Sequence, residues 1–181
     1  MLFNSYEFIF LFLPITLIVY FRAARAGREY AILWLMAASL FFYGWWSPAY
    51  LLLIVGSMLG NFGIGNLLSR AYREKKQRTG RLWLIFGVAI NLLLLGYYKY
   101  ANFAVDSVNM FAGTDFHLQT IILPLAISFF TFQQIAYLID AYNGTTLEYR
   151  FAHYALFVTF FPQLIAGPIV HHKDMLPQFL R

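Results

Sequence analysis

Five apolar runs, each near the roughly 20 residues a helix needs to cross a bilayer, divide the chain at 5–21, 30–46, 48–68, 82–98 and 121–142. The second ends in "YGWWSP", aromatics at a membrane interface followed by Pro48, which opens the third. Between the fourth and fifth runs, "ANFAVDSVNMFAG" mixes Phe103, Val105, Val108, Met110 and Phe111 with Asp106, Ser107 and Asn109. It is too short and too polar to span, and an interfacial helix is expected within 99–120. The fifth run closes on a turn, "NGTTLEYR".

A sixth run begins near Phe151 and breaks its own pattern. "FFPQLIAGPIVHHKD" (160–174) starts as an apolar helix, then brings in Pro162, Gln163, Gly167 and Pro168, followed by His171 and His172. Pro162 removes a donor and Gly167-Pro168 breaks the helix. Freed carbonyls at membrane depth survive only inside protein or beside a water-filled cavity. Gln163 can offer two donors and an acceptor to such backbone. A kinked span and a re-entrant, cavity-lining segment both fit.

Composition fits this pattern. Of 181 residues, 61% are hydrophobic and 12% charged, about half the charge of a soluble domain. A core of this size cannot hide so much apolar surface. The expected fold is an all-α, polytopic helical membrane protein of one domain (1–181), with five to six spans and a broken or re-entrant segment near 160–170. "MLFNSYEF" has no basic start and carries Glu7, so the first run reads as a retained span. With no cysteine, disulfides, thiolate zinc sites and cysteine nucleophiles are excluded within the chain.

The net charge of +5 is concentrated in two loops. Arg22, Arg25 and Arg28 face Glu29 alone; Arg70, Arg73, Lys75, Lys76, Arg78 and Arg81 face Glu74 alone. Two spans separate the loops, so both lie on one side. The positive-inside rule makes 22–29 and 70–81 cytoplasmic and the N-terminus external. Nucleic acid is not an expected partner; the lipid bilayer is.

Polar residues at depth need an explanation. On the fifth run Gln133, Tyr137 and Asp140 share one stripe at i, i+4, i+7, with Ser128 and Thr131 elsewhere. The stripe faces protein or water; interhelical hydrogen bonding, with Asp140 reaching the interface, is the plainer reading. Pro124 shapes the entry to this helix. Asn61, Asn66 and Asn91 read as packing glue. Gly56, Gly60 and Gly63 share a face at i, i+4, i+7 and are expected to admit a close helix. Of the four histidines, His117 and His153 lack a partner at catalytic spacing, and His171 and His172 point about 100° apart on a helix. No metal site is expected.

"LPLAISFFTFQQIAYLIDAYNG" (123–144) and "FFPQLIAGPIVHHKDMLPQF" (160–179) resemble the membrane-bound O-acyltransferase family. The closer likeness is to its bacterial branch of alginate O-acetylation proteins and their D-alanyl-transfer and peptidoglycan-acetylating relatives. "MLFNSYEFIFLFLPIT" and "SLFFYGWWSPAYLLLI" are similar to that branch too. The family's first motif falls on Pro124, Ser128, Phe129, Thr131, Phe132, Gln133, Tyr137 and Asp140. Its second falls on Phe161, Pro162, Gln163, Gly167, Pro168 and Ile169. Ala126 stands where a glycine is common, and Asn143 where a basic residue is frequent.

The resemblance implies acyl transfer, with acetyl as the expected group, to a hydroxyl of an extracytoplasmic polysaccharide such as alginate. The donor, acetyl-CoA or an acyl carrier, would be a substrate used from the cytoplasmic side of the bacterial inner membrane. A companion acetyltransferase is an implied acceptor-side partner. No bound cofactor is implied. The implied fold is a ring of tilted helices around a tunnel. Ser128, Thr131, Gln133, Tyr137, Asp140, Pro162, Gln163, Gly167 and Pro168 would be its wall or the shell behind it. The family's histidine, the expected general base, matches none of the four here and is expected beyond Arg181. Residues 1–181 then read as an N-terminal part, inactive alone. A non-enzymatic polytopic protein, a transporter half or an assembly scaffold, is the other class that fits the spans, although the paired interruptions of transporters are not seen.

Overall fold

A computed structural model describes residues 4–114, 121–145 and 150–167, and they are helical nearly throughout. A π-helical opening (Glu7–Phe12) runs straight into α1 (Leu13–Ala26). The wide turn lies just before Pro14, whose ring would clash with the i−4 carbonyl of a regular α turn. Then come α2 (Arg28–Trp46), α3 (Pro48–Arg73) and α4 (Gln77–Ala112). The chain closes with α5 (Ile127–Tyr142), α6 (Phe151–Thr159) and α7 (Phe161–Ala166).

Among the described residues, three rods are both long and apolar enough to cross a membrane: Glu7–Ala26, Pro48–Arg73 and Gln77–Ala112. The expected second span forms as α2, of 19 residues, but does not meet that measure. The expected fifth is shortened to the 16 residues of α5. Residues 121–126 are not helical because Ala126 sits in the left-handed region (φ 56°) directly before α5. The polar stretch after residue 98 is no separate interfacial helix. It continues α4, whose 36 residues rise about 54 Å, well beyond the hydrocarbon thickness. Asp106, Ser107 and Asn109 change the polarity of the surface without breaking the backbone, which ends at Gly113 in the left-handed conformation (φ 62°).

α5 is the hub. It packs against α3, α4 and α6 and buries Ile127, Phe130, Tyr137, Leu138 and Ala141. Close approach is set by Gly65 of α3 and Gly87 of α4. A Cβ on Gly65 would run into the Tyr137 ring, and one on Gly87 would lie 2.7 Å from Leu138. α6 is buried on every side from His153 to Thr159, as expected of a helix that is apolar all round. Its Tyr154 ring centroid lies 4.3 Å from that of Tyr137.

Side-chain contacts sort the loops into two ends. At one end Arg150 pairs with Glu29, and Gly80 and Gly144 abut Tyr142 and Tyr72. This brings Arg150 to the 22–29 loop and residues 142–144 to the 70–81 loop. At the other end the irregular stretch before α5 is strapped down. Tyr43 donates to the Leu125 carbonyl (3.1 Å), Tyr50 to the Ile122 carbonyl and Asn102 to the Ile121 carbonyl (3.3 Å). Three helices thus satisfy carbonyls that the missing helical turn leaves open.

Candidate functional site

The interior of α3, α4 and α5 carries a polar network at membrane depth. Asn61 and Asn91 exchange amide hydrogen bonds, with Asn61 Nδ2 3.2 Å from Asn91 Oδ1 and Asn91 Nδ2 2.6 Å from Asn61 Oδ1. Asn91 also donates to the Gly87 carbonyl (2.8 Å) and Asn61 to that of Ser57 (2.9 Å). Gln134 Oε1 accepts from Ser57 Oγ (2.8 Å) and from Asn61. Asn61 and Asn91 therefore act as the expected glue, whereas Asn66 is exposed and does not. Sequence reasoning missed Ser57 and Gln134. The signal was present: Ser57 precedes Asn61 by one helical turn, and Gln134 is the neighbour of the Gln133 that was singled out. Such bonds contribute about 0.6 kcal/mol each in membranes. They join three helices across 77 residues of sequence.

Along α5, Thr131, Gln133 and Tyr137 are buried, Ser128 is half-buried, and Asp140 is half-buried near the helix end. The stripe thus faces protein over its first two members. Asp140 belongs to the turn: its carbonyl accepts from the Thr145 N–H (3.0 Å), and its carboxylate lies 3.4 Å from Thr145 Oγ1. Thr131 Oγ1 and Gln133 Oε1 are buried and have no hydrogen-bond partner among the described residues.

The irregular sixth run is a broken helix. α6 stops at Thr159, Phe160 turns away (ψ 104°), and α7 starts at once with Pro162 in its first turn. A proline there needs no N–H, so the break falls where Pro162 would otherwise have cost the Val158 carbonyl its partner. The Phe160 carbonyl accepts from Gln163 (3.1 Å) and Leu164 (2.9 Å). Phe161 anchors the new direction: its ring centroid lies 5.3 Å from Phe12 and 5.4 Å from Phe42. Gln163 is buried and Gly167 is extended. Pro168, His171, His172 and His117 lie outside the described residues.

His153 departs from expectation. It does have a carboxylate nearby: Nε2 is 3.5 Å from Glu29 Oε2, while Arg150 holds the other oxygen of Glu29. The partners are far apart in sequence, so spacing could not reveal them. His153 is buried, and the trio ties the start of α2 to the start of α6, which suits a clamp better than a base. Among the described residues no group of three or more His, Cys, Asp and Glu could hold a metal.

The glycine face of α3 meets none of the described helices closely. No described atom lies within 4 Å of a Cβ built on Gly56, Gly60 or Gly63. Gly56 and Gly60 instead line a groove of about 370 Å³ between α3 and α4, whose lining also includes Asn61 and Asn91. An apolar cavity of about 460 Å³ lies between the first rod and α2, and one of about 570 Å³ with a mixed lining lies at the α3–α4 turn.

The described residues can thus shape and seal an interior, but they bring together no nucleophile with an accessible base. The chain is 42% identical over 206 aligned residues to the peptidoglycan O-acetyltransferase of Helicobacter pylori, covering 99% of this chain and 38% of that protein. It is 44% identical to the probable alginate O-acetylase AlgI of Pseudomonas aeruginosa, with 99% and 34% covered. The probable alginate O-acetylase AlgI of Azotobacter vinelandii is 40% identical, with 99% and 36% covered. The chain therefore spans about a third of the length of these curated relatives. No family model matches the chain, and no solved structure does.

Proposed function

The chain belongs to the membrane-bound O-acyltransferase family, and from that premise we propose that it forms part of an enzyme that acetylates hydroxyls of an extracytoplasmic polysaccharide. The observation that carries the reading is identity of 40–44% over 99% of the chain to proteins named as O-acetylating enzymes. The donor is a cytoplasmic acetyl thioester, acetyl-CoA or an acyl carrier, and the acceptor is an exported polysaccharide or a companion acetyltransferase that passes the group on.

The chemistry divides between this chain and a histidine expected outside residues 1–181. That histidine takes the proton of the acceptor hydroxyl as its oxygen attacks the acyl carbon. Donors stabilise the tetrahedral oxyanion, the C–S bond breaks, and the thiolate leaves with the proton. The residues of this chain wall the passage. Ser128, Thr131 and Gln133 on α5, and Gln163 on α7, bring polar groups to a depth where lipid tolerates none. Pro162 and Gly167 bound the short helix α7 there. Tyr137 and Asp140 brace α5 against α3 and the following turn. The basic end, with 22–29 and 70–81, faces the cytoplasm in the bacterial inner membrane, as its excess of cations favours.

A chimera tests the reading. Residues 1–181 replace the matching third of the Pseudomonas aeruginosa protein, and base-labile acetate on exported alginate is measured. Acetylation at a tenth or more of the parent level is expected. None at all, with the chimera in the membrane at the parent's abundance, would sink it. Reporter fusions within 70–81 should read cytoplasmic, and an external reading would overturn the orientation.

A further inference from the structure

We propose that the cavity at the α3–α4 turn is a binding site for a phosphate-bearing anion. It has a volume of about 570 Å³ and is partly open, and its lining includes Arg73, Lys75, Lys76, Gln77, Tyr142 and Asn143. A topology signal requires cations in the loop but no cavity, and here the cations rim one. The single acid of the turn is already engaged. Glu74 accepts from Lys76 at 2.7 Å and from Arg70 at 2.9 Å. Those bonds, the one from Lys76 foremost, pull its carboxyl down to about 2, so it stays ionised at any working pH. Of the six cations within 70–81, Arg73, Lys75 and Lys76 line the cavity.

The backbone places Lys75 in an unusual way. α3 ends in a double hydrogen bond, Lys76 N–H to the Ala71 carbonyl (2.9 Å) and Lys75 N–H to the Tyr72 carbonyl (3.0 Å). This closure puts the penultimate residue in the left-handed region, where glycine is the usual occupant. Lys75 is held there at φ 55°. A side chain kept where its backbone conformation is costly suggests a use for that side chain. Directly below, α4 begins without a side-chain cap, so its first N–H groups add partial positive charge to the same wall. Tyr142 and Asn143 bring a hydroxyl and an amide. Compact cations beside hydrogen-bond donors suit phosphate oxygens. The phosphate can come from a lipid headgroup at the bilayer surface or from a soluble ligand. The inference holds whether or not the chain takes part in acyl transfer.

The test uses the protein purified in detergent at 150 mM salt, with two probes. Inorganic pyrophosphate is titrated calorimetrically, and retention of phosphatidylglycerol against phosphatidylcholine is followed by native mass spectrometry. One of the two is expected to bind, and which one identifies the source. The double variant Lys75→Gln/Lys76→Gln should weaken that binding about tenfold or more, since each cation near a membrane surface contributes substantially. Glu74→Gln, which releases Lys76 and Arg70, should tighten it. Arg22→Gln/Arg25→Gln removes equal charge at the same end and should leave it within about twofold. Thermal melting of each variant checks folding. Binding of neither probe, or equal loss in the two double variants, would overturn the site.

Discussion

The two faces of α3 carry similar glycines with opposite surroundings. Gly65 lies under the Tyr137 ring of α5, so close that no side chain fits. Gly56, Gly60 and Gly63, two to nine residues before it, have no described atom within 4 Å of an added Cβ. Helical spacing says which small residues share a face; it does not say whether that face is covered. Here the covered glycine is the one whose opposite number is a large aromatic on a neighbouring helix. Two of the uncovered ones, Gly56 and Gly60, border a groove whose lining includes Asn61 and Asn91.

The largest expected effect that sharpens this contrast is at Gly65. Gly65→Ala forces a methyl into the Tyr137 ring within a packed core, and overpacking of this kind costs about 3 kcal/mol. Denaturant titration in detergent should register it. Asn91→Leu comes next. It removes the reciprocal amide pair with Asn61 and should cost about 1 kcal/mol. A double-mutant cycle with Asn61→Leu should recover most of that loss as coupling. Gly60→Ala should do the reverse and stabilise by about 0.7 kcal/mol, because helix propensity improves and no described atom is hit. A loss at Gly60 as large as at Gly65 would erase the distinction between the faces. The smallest effect is at Ala126. Its left-handed conformation favours glycine, and Ala126→Gly should gain about 0.5 kcal/mol after the added freedom of the unfolded chain is offset.

Ala126 also illustrates how much could be read in advance. It was noticeable as an alanine where the resembled family commonly has glycine, and the structure supplies the reason: φ is 56° at the entry to α5. The apolar runs located the first four helices well, since burial in lipid demands long, unbroken apolar stretches. The basic loops at one end were legible for the same reason. The end of α4 was not, because a change from apolar to polar surface does not stop a helix unless a capping signal stops it; here that signal is Gly113. Gln134, Gly87 and the Glu29–His153 contact stayed hidden because each acquires its role from a residue on another helix. The break near Pro162 was visible, but its position at Phe160 depends on Phe161 finding Phe12 and Phe42, which local sequence does not encode.

The central claim is that this chain serves the O-acetylation of an exported polysaccharide. The most direct measurement is the base-labile acetate content of that polysaccharide in cells that carry the gene and in cells from which it has been deleted. The account predicts a large loss of ester acetate on deletion, restored by the gene in trans, with polysaccharide yield maintained. Unchanged acetate in the deleted cells, with no second gene of this family present, would contradict it.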